Sequence, residues 1–290
     1  MGAIASTAVI GTGRMAPGIA AAFAEAGARV VVVGRSLEKA QLAAGLAGQG
    51  VEARSFEAAA MRGVQLVCET VTEDAATKAA VYRQIEPWLE PGALLTTNTS
   101  SLRIGELARV LRRPDAFAGL HFLYPAEATA VVEVVAGEST SAETVAALRG
   151  FARQMDKVTI LARRDVPGFV WNRLQVALLR EALWLLDQGV ADVEAIDAAV
   201  SDGLAPRWLA TGPFATVDLG GSHTWARVAE ELFPALATDT TVARSLSERG
   251  ASDKTFYEWS AEERRQMLET RAKTLSFGRE ITAERRPKEC

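Results

Sequence analysis

The 290-residue chain has only two cysteines, two histidines and three tyrosines, and these scarcities remove whole classes of function. Cys68 stands inside an apolar segment and Cys290 at the last position, so neither a disulfide framework nor a metal site is expected. That cysteine usage fits a reducing, cytoplasmic setting. No uninterrupted apolar run approaches the roughly 20 residues of a membrane-spanning helix, and no basic segment of signal-peptide type is present. Met1-Gly2-Ala3-Ile4-Ala5-Ser6 formally matches a myristoylation pattern. It runs straight into a core-type strand and is read as chance. The net charge is −4, which gives no electrostatic reason to expect a nucleic-acid partner.

What remains is an ordinary globular composition, 49% apolar and 23% charged, long enough for two domains or one domain with a large appendage. Its first segment is the most informative. A short apolar run, Ser6–Ile10, ends in Gly11-Thr12-Gly13-Arg14-Met15-Ala16. An Ala-rich helical stretch from Gly18 to Ala26 follows, then Gly27, then the β-branched run Val30–Val33. Strand, Gly-x-Gly-x-x-Ala, helix and strand make up a dinucleotide-binding βαβ unit. Glycines permit a tight turn and close approach of phosphate, and the pyrophosphate rests on a helix N-terminus. Gly11, Gly13, Arg14 and Met15 are therefore expected at the cofactor. Where an NAD site usually carries an acid for the ribose 2′-hydroxyl, this chain has Gly34, followed by Arg35-Ser36. An arginine and a hydroxyl suit a 2′-phosphate, so NADP is expected, with NAD as second choice. Ser36 also reads as the N-cap of a helix over Leu37–Ala47.

Further strands are expected at Gln65–Val71 and Ala93–Asn98, with a helix from Asp74 to about Glu86 between them. A strand and a helix are also expected within Val51–Arg62. Thr99-Ser100-Ser101 stands at a strand's carboxyl end, where open α/β sheets bind ligands. The same cluster could cap a helix over Ile104–Leu111. The strand ending Gly119-Leu120-His121-Phe122 is followed, twelve positions after the histidine, by Glu133 inside Val131-Val132-Glu133-Val134-Val135. A carboxylate in such a run is costly to bury without a partner, and His121 is the obvious one. On pattern alone, a core histidine and an edge-strand glutamate that never meet is an equal reading. A helix over Ala142–Met155 and a strand over Lys157–Leu161 close this part. Beyond Asp165-Val166-Pro167-Gly168-Phe169 the strands vanish. Helices are expected over Trp171–Asp187, Val193–Val200, Trp225–Leu232 and Ala261–Leu275, their tryptophans and leucines forming core or subunit interface. Arg279 to Cys290 reads as a solvated, frayed tail.

Several of these segments, in this order, resemble the 3-hydroxyacyl-CoA dehydrogenase family over nearly the whole chain. They are Val9–Ala20, Glu69-Thr70-Val71-Thr72-Glu73-Asp74 with Lys78, Asn98-Thr99-Ser100-Ser101-Leu102, Gly119–Phe122 with Pro125, Val132–Val135, Pro167–Arg173, and Gly212-Pro213-Phe214 with Asp218. The resemblance implies a general base at His121, an orienting acid at Glu133, a hydroxyl at Ser100 near the reacting oxygen, and an amide at Asn172 for the substrate carbonyl. It also implies that Glu73, Lys78 and Asn98 line the cofactor cleft.

Four departures accompany it. The family's usual Asn three residues after the histidine is Tyr124, which points to a reshaped substrate pocket. The family's Asp at the second strand is Gly34. A C-terminal Lys-Thr-Gly-x-Gly-Phe-Tyr is shortened to Lys254-Thr255-Phe256-Tyr257. About thirty residues separate the second strand from Gln65, too few for the helical hairpin that flanks CoA in the acyl-CoA enzymes. Arg54 or Arg62 could hold CoA instead.

The expected architecture is α/β: a Rossmann-type domain over residues 1–164 and an all-helical substrate and dimerisation domain over 165–290. The expected activity is hydride transfer between NADP(H) and a 3-hydroxy acid or 3-hydroxyacyl-type alcohol, in a homodimer acting on a small acid or acyl compound. The alternatives are a reductase of an imine or aldehyde on a small or ring acid, and a non-catalytic NADP-binding protein.

Overall fold

The computed structural model describes residues 3–252 and 254–284. Met1 and Gly2 of the myristoylation-like stretch, and the end of the expected tail from 285 to Cys290, lie outside the described residues. The chain divides between Arg173 and Leu174 into two compact units.

The first unit is built on β1 (Ser6–Ile10), β2 (Arg29–Gly34), β3 (Val51–Ser55), β4 (Leu66–Glu69), β5 (Leu94–Thr97), β6 (Phe117–Phe122), β7 (Val131–Val135) and β8 (Val158–Ala162). They form one sheet in the order β3-β2-β1-β4-β5-β6-β7-β8. Every neighbouring pair is parallel except β6 and β7. Helices cover both faces, which is why the strands read as continuous apolar runs rather than alternating ones. Along β2, Val30 and Val32 enter one core while Val31 and Val33 enter the other. On the first face, Phe23 of α1 (Ala16–Glu25) meets Phe151 of α5 (Ala142–Gln154) edge-on, with centroids 5.0 Å apart. On the second, α3 (Ala75–Ile85) and α4 (Ile104–Ala108) supply Tyr82, Ile85, Ile104 and Leu107.

Polar side chains set where several helices start. Ser36 accepts from the Lys39 N–H at the head of α2 (Leu37–Ala47), and Asp74 from the Thr77 N–H at the head of α3. The serine cluster does not do this for α4, whose N-cap position is Arg103 with no side-chain cap. That helix is also shorter than expected, ending at Ala108. The chain leaves β1 for β2 and β3 on one side, then crosses to β4 on the other. The carboxyl ends of β1 and β4 diverge at this reversal, which opens a crevice.

A buried polar knot underlies that crevice. Glu69, at the end of β4, is fully buried and accepts from Lys78 Nζ at 2.8 Å, the Val71 N–H at 2.6 Å, Tyr82 Oη at 2.6 Å and Thr97 Oγ1 at 2.9 Å. Burial and the Glu69 charge push the Tyr82 hydroxyl well above its ordinary range, so it stays a donor.

The second unit contains only helices among its described residues. α6 (Trp171–Asp187) enters it from the first unit. α7 (Val193–Ala198), α8 (Ala205–Ala210), α9 (Pro213–Gly220), α10 (Ser222–Leu232), α11 (Arg244–Ser252) and α12 (Ala261–Glu284) follow. Pro206 and Pro213 lie in the first turns of α8 and α9, where a missing N–H costs nothing. Neither helix is among those expected from the pattern. The helix expected to Val200 ends at Ala198 and passes into a π-helical stretch, Ala199–Leu204. α12 runs to Glu284, past both Leu275 and the expected start of the tail at Arg279. Its polarity all round is offset by spaced charge pairs, such as Arg265 between Glu262 and Glu269. The fold is a Rossmann-type α/β domain followed by a helical one.

The knot beneath the crevice carries a stability consequence. Lys78→Met should remove the counter-charge from a buried carboxylate and destabilise the protein by about 3–5 kcal/mol. Thermal unfolding should show a melting temperature lower by roughly 10 °C, and adding Glu69→Gln should restore part of it.

Candidate active site

The glycine-rich turn lies at the carboxyl end of β1. Gly11 has φ +125°, and its N–H donates to Val33 O at 2.9 Å. A Cβ there would sit 2.7 Å from Thr70 O, so the turn excludes any larger residue. A Cβ at Gly13 would meet nothing within 4 Å, which leaves the main chain open to a ligand. The head of α1 has no side-chain cap and no acidic residue in its first turn, so its dipole favours an anion there, although the Ala16 N–H already donates to Gly13 O and Pro17 has none. These features border a cleft of about 1240 Å³, which is ample for a dinucleotide. At the β2 end the cleft is lined by Gly34, Arg35, Ser36 and Lys39. Lys39 is a second cation there that the pattern did not single out. The lone carboxylate lining the cleft is Glu73.

At the other end stands His121, 4% exposed and lining the same cleft. The antiparallel register of β6 and β7 sets His121 directly opposite Glu133. The imidazole Nδ1 lies 2.6 Å from Glu133 Oε2. The second carboxylate oxygen accepts from the Val170 and Trp171 N–H groups at 3.0 and 2.9 Å. Those donors are presented by the turn in which Gly168 and Phe169 take positive φ, just as α6 begins. Burial pushes the Glu133 carboxyl up, but the His121 hydrogen bond, the Trp171 N–H, the imidazole charge and the Val170 N–H outweigh it. The group ends below its ordinary 4.5. A carboxylate on Nδ1 fixes that nitrogen as the protonated one and leaves Nε2 with its lone pair. Phe169 packs edge-on against the imidazole, with centroids 5.6 Å apart. The other histidine, His223, is an exposed residue of α10.

Glu73 gathers the serine cluster. Its Oε1 accepts from Thr99 Oγ1 at 2.6 Å, the Ser100 N–H at 2.8 Å and the Ser101 N–H at 3.1 Å, and both serine hydroxyls lie within 3.3 Å. Here too burial acts upward, but the Thr99 and Ser100 bonds and the Lys78 charge bring the carboxyl below 4.5. Lys78 does not face the cleft. It is 1% exposed and reaches Glu73 from behind at 3.4 Å. Asn98 Oδ1 accepts from the Phe122 N–H at 2.7 Å, which leaves its NH₂ group as the free end in the cleft. Asn172, in the first turn of α6, donates from Nδ2 to Ser100 O at 3.3 Å. Ser100, His121, Glu133 and Asn172 are thus linked through two short networks. Tyr124 is 45% exposed, and the Arg14 guanidinium lies 4.2 Å above its ring.

Three supports of the site carry little sequence signal. The Val170 and Trp171 donors are main chain, and Thr99 resembles any strand-end threonine. Tyr82 sits in an Ala-rich helix that reads as merely amphipathic. Cys68, next to Glu69, is inert, since burial pushes its thiol up to about 12.

The lowered Glu133 carboxyl links stability to pH. A carboxyl depressed in the folded state contributes stability above its unfolded value, and that contribution is lost as pH falls through the folded one. Glu133→Gln should therefore cost about 1–3 kcal/mol near neutrality. The gap in melting temperature from the unmodified protein should narrow as pH drops below 4.5.

Comparison with known proteins gives the chain its family. Residues 48–166 match the family model for the 3-hydroxyacyl-CoA dehydrogenase NAD binding domain, and 168–275 match that for its C-terminal domain. Residues 6–81 also match a model described as NADP oxidoreductase coenzyme F420-dependent. A 5-formyl-3-hydroxy-2-methylpyridine 4-carboxylate 5-dehydrogenase from Mesorhizobium japonicum is 33% identical over 269 residues, covering 87% of each chain. A probable 3-hydroxybutyryl-CoA dehydrogenase from Deinococcus radiodurans is 32% identical over 80% of this chain and 88% of its own. A crystal structure of a dehydrogenase of the same pyridine substrate, described as an NAD+ dependent dismutase, superposes with a TM-score of 0.91. It is 30% identical and covers 98% of this chain and 100% of its own. The chain belongs to the 3-hydroxyacyl-CoA dehydrogenase family of oxidoreductases.

Proposed function

We propose that this protein is an NADP(H)-dependent dehydrogenase that interconverts a 3-hydroxy acid or 3-hydroxyacyl-type alcohol with its 3-oxo form. The observation that carries the reading is the His121–Glu133 pair at the inner end of a dinucleotide-sized cleft. Mere binding of a cofactor needs no base paired with a buried acid, which argues against a non-catalytic role. A bound nicotinamide dinucleotide would supply the hydride acceptor or donor. The protein's share is the proton. Nε2 of His121 takes it from the substrate hydroxyl in the oxidative direction and returns it in the reductive one. Glu133, fixed from its other side by two N–H groups, steadies the imidazolium. Ser100 Oγ is set to share the reacting oxygen, and Asn172 to hold a neighbouring carbonyl.

A second reading follows from the Mesorhizobium relative, whose name places its chemistry at a formyl group on a ring acid. The same base would serve an aldehyde through its hydrate. The large apolar residues exposed on the helical unit, among them Leu174, Val176, Phe214 and Leu219, support a homodimer. The buried, inert Cys68 fits a cytoplasmic setting.

For the reaction, the purified protein should oxidise NADPH with some member of a panel of 3-oxo acids, 3-oxoacyl-CoAs and small-ring aldehydes. With the short β2–β4 link, a compact acid should turn over better than acetoacetyl-CoA. On the best substrate, His121→Ala should lower kcat by ~10²–10⁴ while cofactor affinity stays within threefold. Full activity in that variant would move the proton chemistry elsewhere.

For the cofactor, the cations Arg35 and Lys39 and the absence of an acid at Gly34 support NADP. So does the match of residues 6–81, which include the end of β2, to an NADP oxidoreductase model. The NAD+ dependent dismutase sets the opposing expectation. NADPH should be favoured by about tenfold or more in kcat/KM, the effect of one charge-assisted bond. A Cβ at position 34 would lie 2.6 Å from Thr12 Cγ2, so Gly34→Asp needs Thr12→Gly beside it. The triple change with Arg35→Ala should favour NADH, whereas an unmodified protein that prefers NADH would refute the assignment.

A further inference from the structure

Arg14 lines the cleft, and its guanidinium meets Tyr124, which follows the cleft-lining Phe122 by two residues. The pattern of the glycine-rich turn puts Arg14 at the cofactor, but only its main chain belongs to that turn's anion-facing side, and its guanidinium lies over Tyr124 instead. The guanidinium stacks on the Tyr124 ring at 4.2 Å, and Tyr124 stands three residues beyond His121. Both Arg14 and His121 line the same cleft.

The platform under Arg14 is built to be rigid. Lys157, 2% exposed, donates from Nζ to Ala126 O at 2.8 Å and Thr129 O at 2.6 Å. Thr129 Oγ1 donates to Pro125 O at 2.8 Å. A Cβ on Gly18 of α1 would come within 3.3 Å of the Ala126 N, so the loop after β6 sits directly on the helix that Arg14 introduces. No carboxylate lies within 4.0 Å of Arg14 among the described residues, and Glu127, on the Tyr124 loop, packs against α1 at Gly18 instead. Glu73, the acid lining the cleft, is already engaged by Lys78 and the serine cluster. A stacked guanidinium keeps its N–H edge free for two parallel bonds to one planar anion.

We infer that Arg14, held flat by Tyr124, is the carboxylate-recognising arm of the substrate site, and that the substrate is a compact free carboxylic acid rather than a thioester. The inference rests on the proposed reaction at His121 and adds what the far end of the substrate must be. Arg14 would then determine specificity, and Tyr124 would be a positioning residue.

Binding separates this from the chemistry. NADP+-loaded protein would be titrated calorimetrically with acetoacetate and pyridine-4-carboxylate, each against its methyl ester, so that no turnover is needed. The unmodified protein should prefer the acid. Arg14→Leu should weaken the acid by about 100-fold and the ester by less than threefold, and Arg14→Lys should recover part of the loss because the charge remains without the fork. Tyr124→Ala should weaken the acid about three- to tenfold, and Tyr124→Phe hardly at all. NADPH affinity should stay within threefold throughout, which a guanidinium bound to the cofactor's phosphates would not allow. Equal loss of acid and ester, a parallel loss of NADPH affinity, or no acid preference in the unmodified protein would each overturn the assignment. Arg14-dependent acid binding without any NADPH oxidation in the panel would instead leave the arm standing and refute the proposed reaction.

Discussion

A carboxylate placed in the middle of a β-branched strand must be satisfied, and Glu133 governs much of this structure because of that requirement. It is fully buried, so every lone pair it turns inward needs a donor. One oxygen takes the imidazole of His121 across the ladder, and the other takes two N–H groups at the start of α6. The acid therefore does two things at once. It fixes the histidine tautomer, and it ties β7 to the turn that begins the long helix. The antiparallel pairing of β6 with β7 follows the same logic. A twelve-residue separation with an eight-residue connection puts the two side chains on the same face and opposite each other only in that register.

Glu69, at the end of β4, and Glu73 just after it repeat the device elsewhere in the sheet, at different depths. Glu69 is wholly enclosed and saturated by Lys78, Tyr82, Thr97 and the Val71 N–H. Lys78 then extends to Glu73, which in turn collects the main chain and hydroxyls of the serine loop. The serine loop is shaped by a chain of charges running from the core to the cleft, not by a helix cap. This explains why a lysine expected at the cleft is found beneath it: its charge acts on the loop through Glu73.

How much of this was legible in the sequence depends on whether a signal was local or long-range. β1, β2 and β7 could be read because β-branched runs buried on both faces have few other uses, and Gly-x-Gly between strand and helix has a specific steric meaning. The meeting of His121 with Glu133 was open on pattern alone, because pairing register is a property of two strands and a turn. The serine cluster was ambiguous for the same reason, since its partner Glu73 lies 26 residues or more away in the chain. Short helices opened by proline, such as α8 and α9, were not among the expected elements, because six to eight residues leave too few periodic positions to read. The start of α12 was placed correctly at Ala261, but its far end was misjudged because charge pairing, not an apolar stripe, sustains it.

Two residues expected to depart from the family's pattern, Gly34 and Tyr124, each meet a residue of the glycine-rich turn. Thr12 occupies the space that the Cβ of an acid at position 34 would need, so the missing acid and the threonine are two sides of one packing choice. Arg14 lies over Tyr124, so a cation in the turn and an aromatic after β6 are likewise matched. Residues 12 and 14 belong to the same glycine-rich turn, one side chain directed at the end of β2 and the other towards the end of β6. The glycines on either side, Gly11 and Gly13, supply the conformation that any dinucleotide turn requires. A turn whose main chain is shaped for phosphate thus carries, in its side chains, contacts to two places along the sheet edge, Gly34 at the end of β2 and Tyr124 after β6.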